Sequence, residues 1–140
     1  MTSAISAKGT LLKRDGTTIA EVKDISGPSL SAEVADVTSH DSANGWREKI
    51  KTLLDAGEVT FDINFVPTGA SHKDSDGGLL YDLKTLTSAG TQTWSVVFPD
   101  GLSTTWSFSA FVSGFDPSMP VDGPAEASIT LTVTGEPTLA

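Results

Sequence analysis

Along the last third of the chain, Ala127, Ile129, Leu131 and Val133 alternate with Ser128, Thr130, Thr132 and Thr134. Successive side chains of an extended strand point to opposite faces, so this run sends its apolar groups to one side and its hydroxyls to the other. A helix would scatter the same residues around its circumference. The pattern recurs in Val59, Phe61, Ile63 and Phe65, set between Thr60, Asp62 and Asn64. It returns in Trp94, Val96 and Phe98, and, beyond the Pro99-Asp100-Gly101 turn, in Trp106, Phe108, Ala110 and Val112. Leu30, Ala32 and Val34 make a shorter run, and Ile5 to Leu12 with Thr18 to Val22 flank Arg14-Asp15-Gly16 as an opening hairpin. One segment departs from period two. Leu79, Leu80, Leu83 and Leu86 fall at helical spacing, with Asp76 placed as N-cap and Gly90 as terminator. Six or seven strands and one helix predict a mainly β fold, a β-sandwich that is partly barrel-like, with one flanking α-helix and a long loop.

The 140 residues are enough for one domain with one core, so a single domain over 1–140 is expected. Eighteen Asp and Glu oppose nine Lys and Arg, a formal charge of −9, which argues against a surface built to grip nucleic-acid phosphates. No Lys or Arg follows Lys84. With no cysteine, stability rests on packing without disulfides or thiolate-held zinc. Neither a signal-type N-terminus nor a run approaching about 18 apolar residues is present, so membrane insertion is not expected.

From Asp36 to Asp55 no period holds, and loop-favouring residues dominate its first half. So long a loop in a compact domain calls for a function. Trp46 stands in it among polar and charged neighbours, as either a local anchor or an interface residue. Ser39, His40 and Asp41 are the residue types of a hydrolytic triad, but a triad needs convergence in space, which consecutive residues rarely reach. His72, in a second polar loop, reads as solvated. Asp74-Ser75-Asp76-Gly77 fits a calcium loop only at its centre, since His72 and Leu83 would fall at the end ligand positions. No phosphate-binding glycine pattern occurs. The chain is therefore expected to be no enzyme, with no catalytic, cofactor-binding or metal site. Trp94 and Trp106, in alternating strands, are expected in the core.

Four ordered segments carry a resemblance: Ser26-Gly27-Pro28-Ser29-Leu30 leading into Asp36-Val37-Thr38-Ser39-His40-Asp41-Ser42; Trp46-Arg47-Glu48-Lys49-Ile50 with Asp55-Ala56-Gly57-Glu58-Val59; Val97-Phe98-Pro99-Asp100-Gly101; and Ala127 to Gly135. In this set the chain resembles the tail tube proteins of long-tailed phages, of the type related to the N-terminal domain of the lambda tube protein. The resemblance implies a structural virion protein, a single tail tube domain assembling as hexameric rings that stack into a hollow tube for DNA. It implies assembly in the bacterial host cytoplasm and residence in the virion tail. Implied partners are further copies, a tail-tip or baseplate initiator, and tape measure and terminator proteins, with DNA passing unbound. The long loop becomes an inter-ring assembly element, with Asp36, Thr38, Ser39, His40, Asp41, Trp46, Arg47 and Glu48 as its expected contact residues. The competing readings are a tube protein of a related contractile injection machine and a free-standing β-sandwich binding module.

Overall fold

The computed structural model describes residues 4–74, 77–87 and 90–140. Strands β1 (Leu11–Arg14) and β2 (Thr17–Thr18) join through Asp15 and Gly16, both at positive φ (49° and 83°). This is the mirror-image turn whose twist suits a tight hairpin, as the Asp-Gly pair predicts. The strand begins only at Leu11; the expected start at Ile5 is not seen. Then come β3 (Val22–Ser26), β4 (Ser31–Asp36), β5 (Lys49–Asp55), β6 (Glu58–Asn64), helix α1 (Leu79–Lys84), β7 (Thr91–Val97), β8 (Thr105–Ser118) and β9 (Glu126–Leu139).

Seven strands form one antiparallel sheet in the order β2-β1-β7-β8-β9-β6-β3, while β4 and β5 pair separately. Three inter-strand steps lie between β7 and β6, about 14 Å in a flat sheet. Yet the rings of Trp94 on β7 and Phe61 on β6 are only 6.2 Å apart between centroids. The sheet therefore curls over its own apolar face, and its two halves act as the two layers expected of a partly barrel-like sandwich. Leu12, Val59, Phe61, Ile63, Trp94, Phe108, Ile129 and Leu131 fill the enclosed core. Burying a side chain of this size contributes about 1.5–3 kcal/mol.

Helix α1 flanks the sheet and buries Leu79 and Asp82. It is shorter than its spacing predicts. Gly78 occupies the N-cap position, and Asp76, expected there, lies outside the described residues. At the other end Thr85 turns extended and its hydroxyl caps the Tyr81 carbonyl at 2.8 Å. The helix ends at Lys84, six positions before Gly90, and Leu86, meant for its apolar face, is 98% exposed.

The expected Asp36–Asp55 loop ends in a strand, Lys49–Asp55. Lys49–Asp55 pairs antiparallel with Ser31–Asp36, and the register slips between the Ala32↔Leu54 and Val34↔Lys51 pairs. That bulge interrupts the alternation of β5, which hid the strand from a period-two reading. The ribbon leaves the body through two glycines. A Cβ on Gly27 (φ 104°) would stand 2.4 Å from the Glu58 carbonyl oxygen, and one on Gly57 (φ 66°) would stand 2.7 Å from that of Ser29. Only glycine lets the two chains pass this closely at positive φ.

Candidate assembly site

Every residue of β5 is exposed, as is all of β4 except half-buried Ala35. Even so the ribbon carries large apolar groups. Leu30, Val34, Val37, Ile50, Leu53 and Leu54 are all more than two-fifths exposed, Leu54 reaching 78%. A two-stranded ribbon is at best marginally stable alone in water, and a cluster of exposed apolar groups of this kind marks a contact surface. Where its root meets the body, Leu30, Ala32 and Leu54 face Val133 and Pro137 of β9 across an open apolar groove of about 690 Å³.

At the tip, short polar links hold the chain. Asp36 Oδ1 accepts from the Thr38 amide at 2.9 Å and from its hydroxyl, while Thr38 Oγ1 accepts from the Glu48 amide at 2.8 Å. Arg47 Nη1 pairs with Asp36 Oδ2 at 3.2 Å. These donors hold the Asp36 carboxyl below its ordinary value, the Thr38 hydroxyl first among them. The tip itself is a 3₁₀ turn, Ala43–Gly45, with Asn44 in the left-handed region at φ 57°.

Of the residues expected at this site, Asp36, Thr38, Arg47 and Glu48 are brought together in that network. Ser39, His40, Asp41 and Trp46 are exposed along the same tip. Trp46 is 75% exposed, so it anchors nothing within its own chain. Among the described residues no hydrogen bond joins the side chains of Ser39, His40 and Asp41, and no three His, Asp or Glu side chains gather as a metal site. Sequence reasoning missed the apolar contribution of Ile50, Leu53 and Leu54. The Leu53-Leu54 pair, set in a polar stretch without a helical period, was the available signal.

His72 is a correction. Expected in solvent, it is 1% exposed. Its Nδ1 accepts from the Val66 amide at 3.1 Å, so its Nε2 carries the proton and donates to the Ala20 carbonyl at 2.7 Å. The polar loop after β6 folds back over the sheet, and the imidazole satisfies two backbone groups that burial would otherwise strand. Asp74 pairs with Lys84, while Ser75 and Asp76 lie outside the described residues. Trp94 is fully buried as expected, and Trp106 packs partly buried against the core.

Comparison with known proteins bears on this arrangement. No curated protein sequence matches the chain. Among solved structures, a chain of the virion of a native gene transfer agent particle superposes with a TM-score of 0.71 at 22% identity, covering 98% of this chain and 99% of that one. A chain of the tail of an empty particle of the same kind, refined with C6 symmetry, gives 0.68 at 20% identity over 98% and 99%. A chain from the sheath/tube terminator of an extracellular contractile injection system gives 0.75 at 15% identity over 99% and 98%. These likenesses share the curled mainly β fold. The family model described as lambda phage tail tube protein matches residues 3–140. A match over nearly the whole chain, on a fold that offers an unburied apolar ribbon, places this protein in the lambda phage tail tube protein family.

Proposed function

We propose that the protein is the repeating subunit of a phage tail tube, assembling with itself into stacked hexameric rings around a channel for DNA. The exposed apolar ribbon carries this reading, because β4–β5 needs a surface from another molecule to bury Leu53, Leu54 and Trp46. The six-fold tail from which one structural relative comes supports the ring number. Asp36, Thr38, Ser39, His40, Asp41, Trp46, Arg47 and Glu48 then form the inter-ring contact at the ribbon tip. A tail-tip or baseplate initiator, a tape measure protein and a terminator complete the set of partners, and assembly takes place in the host cytoplasm. The protein works by mechanical and electrostatic means without covalent chemistry. Strands β6 to β9 contain no Lys or Arg, so a channel wall built from them offers DNA phosphates no cation to bind.

Negative-stain microscopy of the concentrated protein, beside a size-exclusion profile, is the test. Hollow tubes or six-fold rings are the expected outcome, with Trp46→Ala reducing polymer formation. A stable monomer that stays monomeric when an initiator complex is added overturns the reading. The tube of a contractile injection machine is the second reading, favoured by the 0.75 superposition on the terminator chain. Co-purification of a sheath protein with the tubes decides for it.

A further inference from the structure

The chain holds two asparagines, Asn44 and Asn64, and the fold treats them in opposite ways. Asn64 lies half-buried at the end of β6. Its side-chain amide donates to Glu21 Oε2 at 3.4 Å, and the next backbone nitrogen, that of Phe65, donates to the Ala125 carbonyl at 2.8 Å. Asn44 stands at the exposed ribbon tip, and its side chain makes no hydrogen bond among the described residues. Its successor is Gly45, also exposed, where an added Cβ would meet nothing within 4 Å.

An asparagine amide is a slow electrophile with a nucleophile next to it in the chain, which makes the residue thermolabile. The following backbone nitrogen attacks Cγ once the peptide between them rotates to bring it round. A bulky next residue obstructs that rotation, and so does a hydrogen bond that already holds the nitrogen. Asn64 meets both obstacles. Asn44 is placed for the reaction by its turn. Asn44 and Gly45 are the central residues, both at positive φ (57° and 73°), and the Trp46 amide closes the turn on the Ala43 carbonyl at 3.2 Å. Flipping the central peptide converts this turn to the type with positive φ at its first central residue alone. Asn44 keeps its φ, and the change of sign falls on a glycine, which accepts it without steric cost.

We propose that Asn44-Gly45 is a self-modification site that ages the unassembled subunit. The Gly45 nitrogen attacks Asn44 Cγ and forms the new C–N bond of a cyclic imide. The side-chain nitrogen leaves as ammonia, carrying the proton that Gly45 gives up. Water then opens the ring. Cleavage at Cγ restores the backbone and leaves aspartate, while cleavage at the main-chain carbonyl leaves isoaspartate, with Gly45 joined through Cγ and Cβ drawn into the backbone. Either product sets a new carboxylate beside Trp46 and Arg47, and the second stretches the turn that the Trp46 amide closes. On the tube reading above, a converted tip no longer fits its partner. Subunits that wait are withdrawn, and docking protects those already assembled by holding the turn.

Wild-type subunits kept dilute at neutral and mildly alkaline pH, followed by peptide mass mapping, test this. The expected result is a mass gain, NH2 exchanged for OH, confined to the peptide that holds Asn44 and faster at the higher pH. Its rate is expected within about tenfold of that of a synthetic peptide of residues 39–48, a barrier difference below about 1.4 kcal/mol. Asn64 is expected to stay intact. Isomerisation at Asp15-Gly16, Asp100-Gly101 or Asp122-Gly123 changes no mass and does not interfere. Asn44→Gln, whose longer side chain must close a larger ring, is expected to abolish the gain. An unchanged tip after the synthetic peptide has converted, or a gain at Asn64 in its place, overturns the proposal. Assembly is read separately by sedimentation, with converted chains expected in the supernatant. Converted chains that enter tubes as readily as fresh ones overturn the withdrawal and leave the modification standing. Fresh subunits that form no tubes overturn the tube reading, and the mass map still decides the modification.

Discussion

Asp82 is the residue through which α1 is fastened to the sheet. Its side chain is 1% exposed, and it accepts from both Nε and Nη2 of Arg14 on β1, the latter at 2.8 Å. Two parallel bonds fix the angle of the helix as well as its position. Replacing Asp82 with Ala removes the carboxylate facing a part-buried guanidinium, so Asp82→Ala is expected to cost about 3–5 kcal/mol in urea unfolding. The tip carboxylate Asp36 behaves differently because it is exposed and held by neighbours on its own ribbon. Its folded value lies below the ordinary 3.8, so its stabilising effect is complete above 3.8 and is lost as pH falls through the lower folded value. An NMR titration of the Thr38 amide is expected to show a midpoint below 3.8, and Asp36→Asn to abolish it.

Among the elements, the ribbon has its direction set by Gly57. Gly57→Ala combines the left-handed backbone cost of about 1–2 kcal/mol with a backbone clash, whereas Gly16→Ala, at φ 83° with open space around it, meets only the first. A thermal-melt comparison is expected to show Gly57→Ala as the more damaging of the two. The strands of the large sheet were legible in sequence because each buries one face, and burial of one face writes a period of two. Val59, Phe61 and Ile63 are all at most 2% exposed, as their spacing requires. Strand β5 was illegible for the converse reason: it buries neither face, and its bulge shifts the register midway. The extent of α1 was misread because Leu86 continues the spacing past the point where Thr85 ends the helix. His72 and Asp82 were illegible as structural residues, since the Ala20 carbonyl and the Arg14 guanidinium are brought to them from 52 and 68 residues away, and the Val66 amide, six residues before His72, reaches it only because the loop after β6 folds back.

At the scale of the whole molecule, charge is segregated. All nine Lys and Arg lie at or before Lys84, so β8 and β9 contribute no cation of their own, and Ser109 and Thr132 stand on their face opposite the core among hydroxyl-bearing residues. Wild-type tubes are expected to retain no DNA in a filter assay at low salt. Ser109→Lys/Thr132→Lys tubes, with cations added on every subunit, are expected to retain it and to release it as salt rises. Strands β8 and β9 run side by side for 14 residues each, from the groove end of the subunit to the turn end. A pull applied along these strands loads the ladder lengthwise, so that its hydrogen bonds share the force together and do not open one after another. Along that direction each subunit is in effect a tie-rod, held by backbone bonds that any sequence can supply, leaving its side chains free for other contacts.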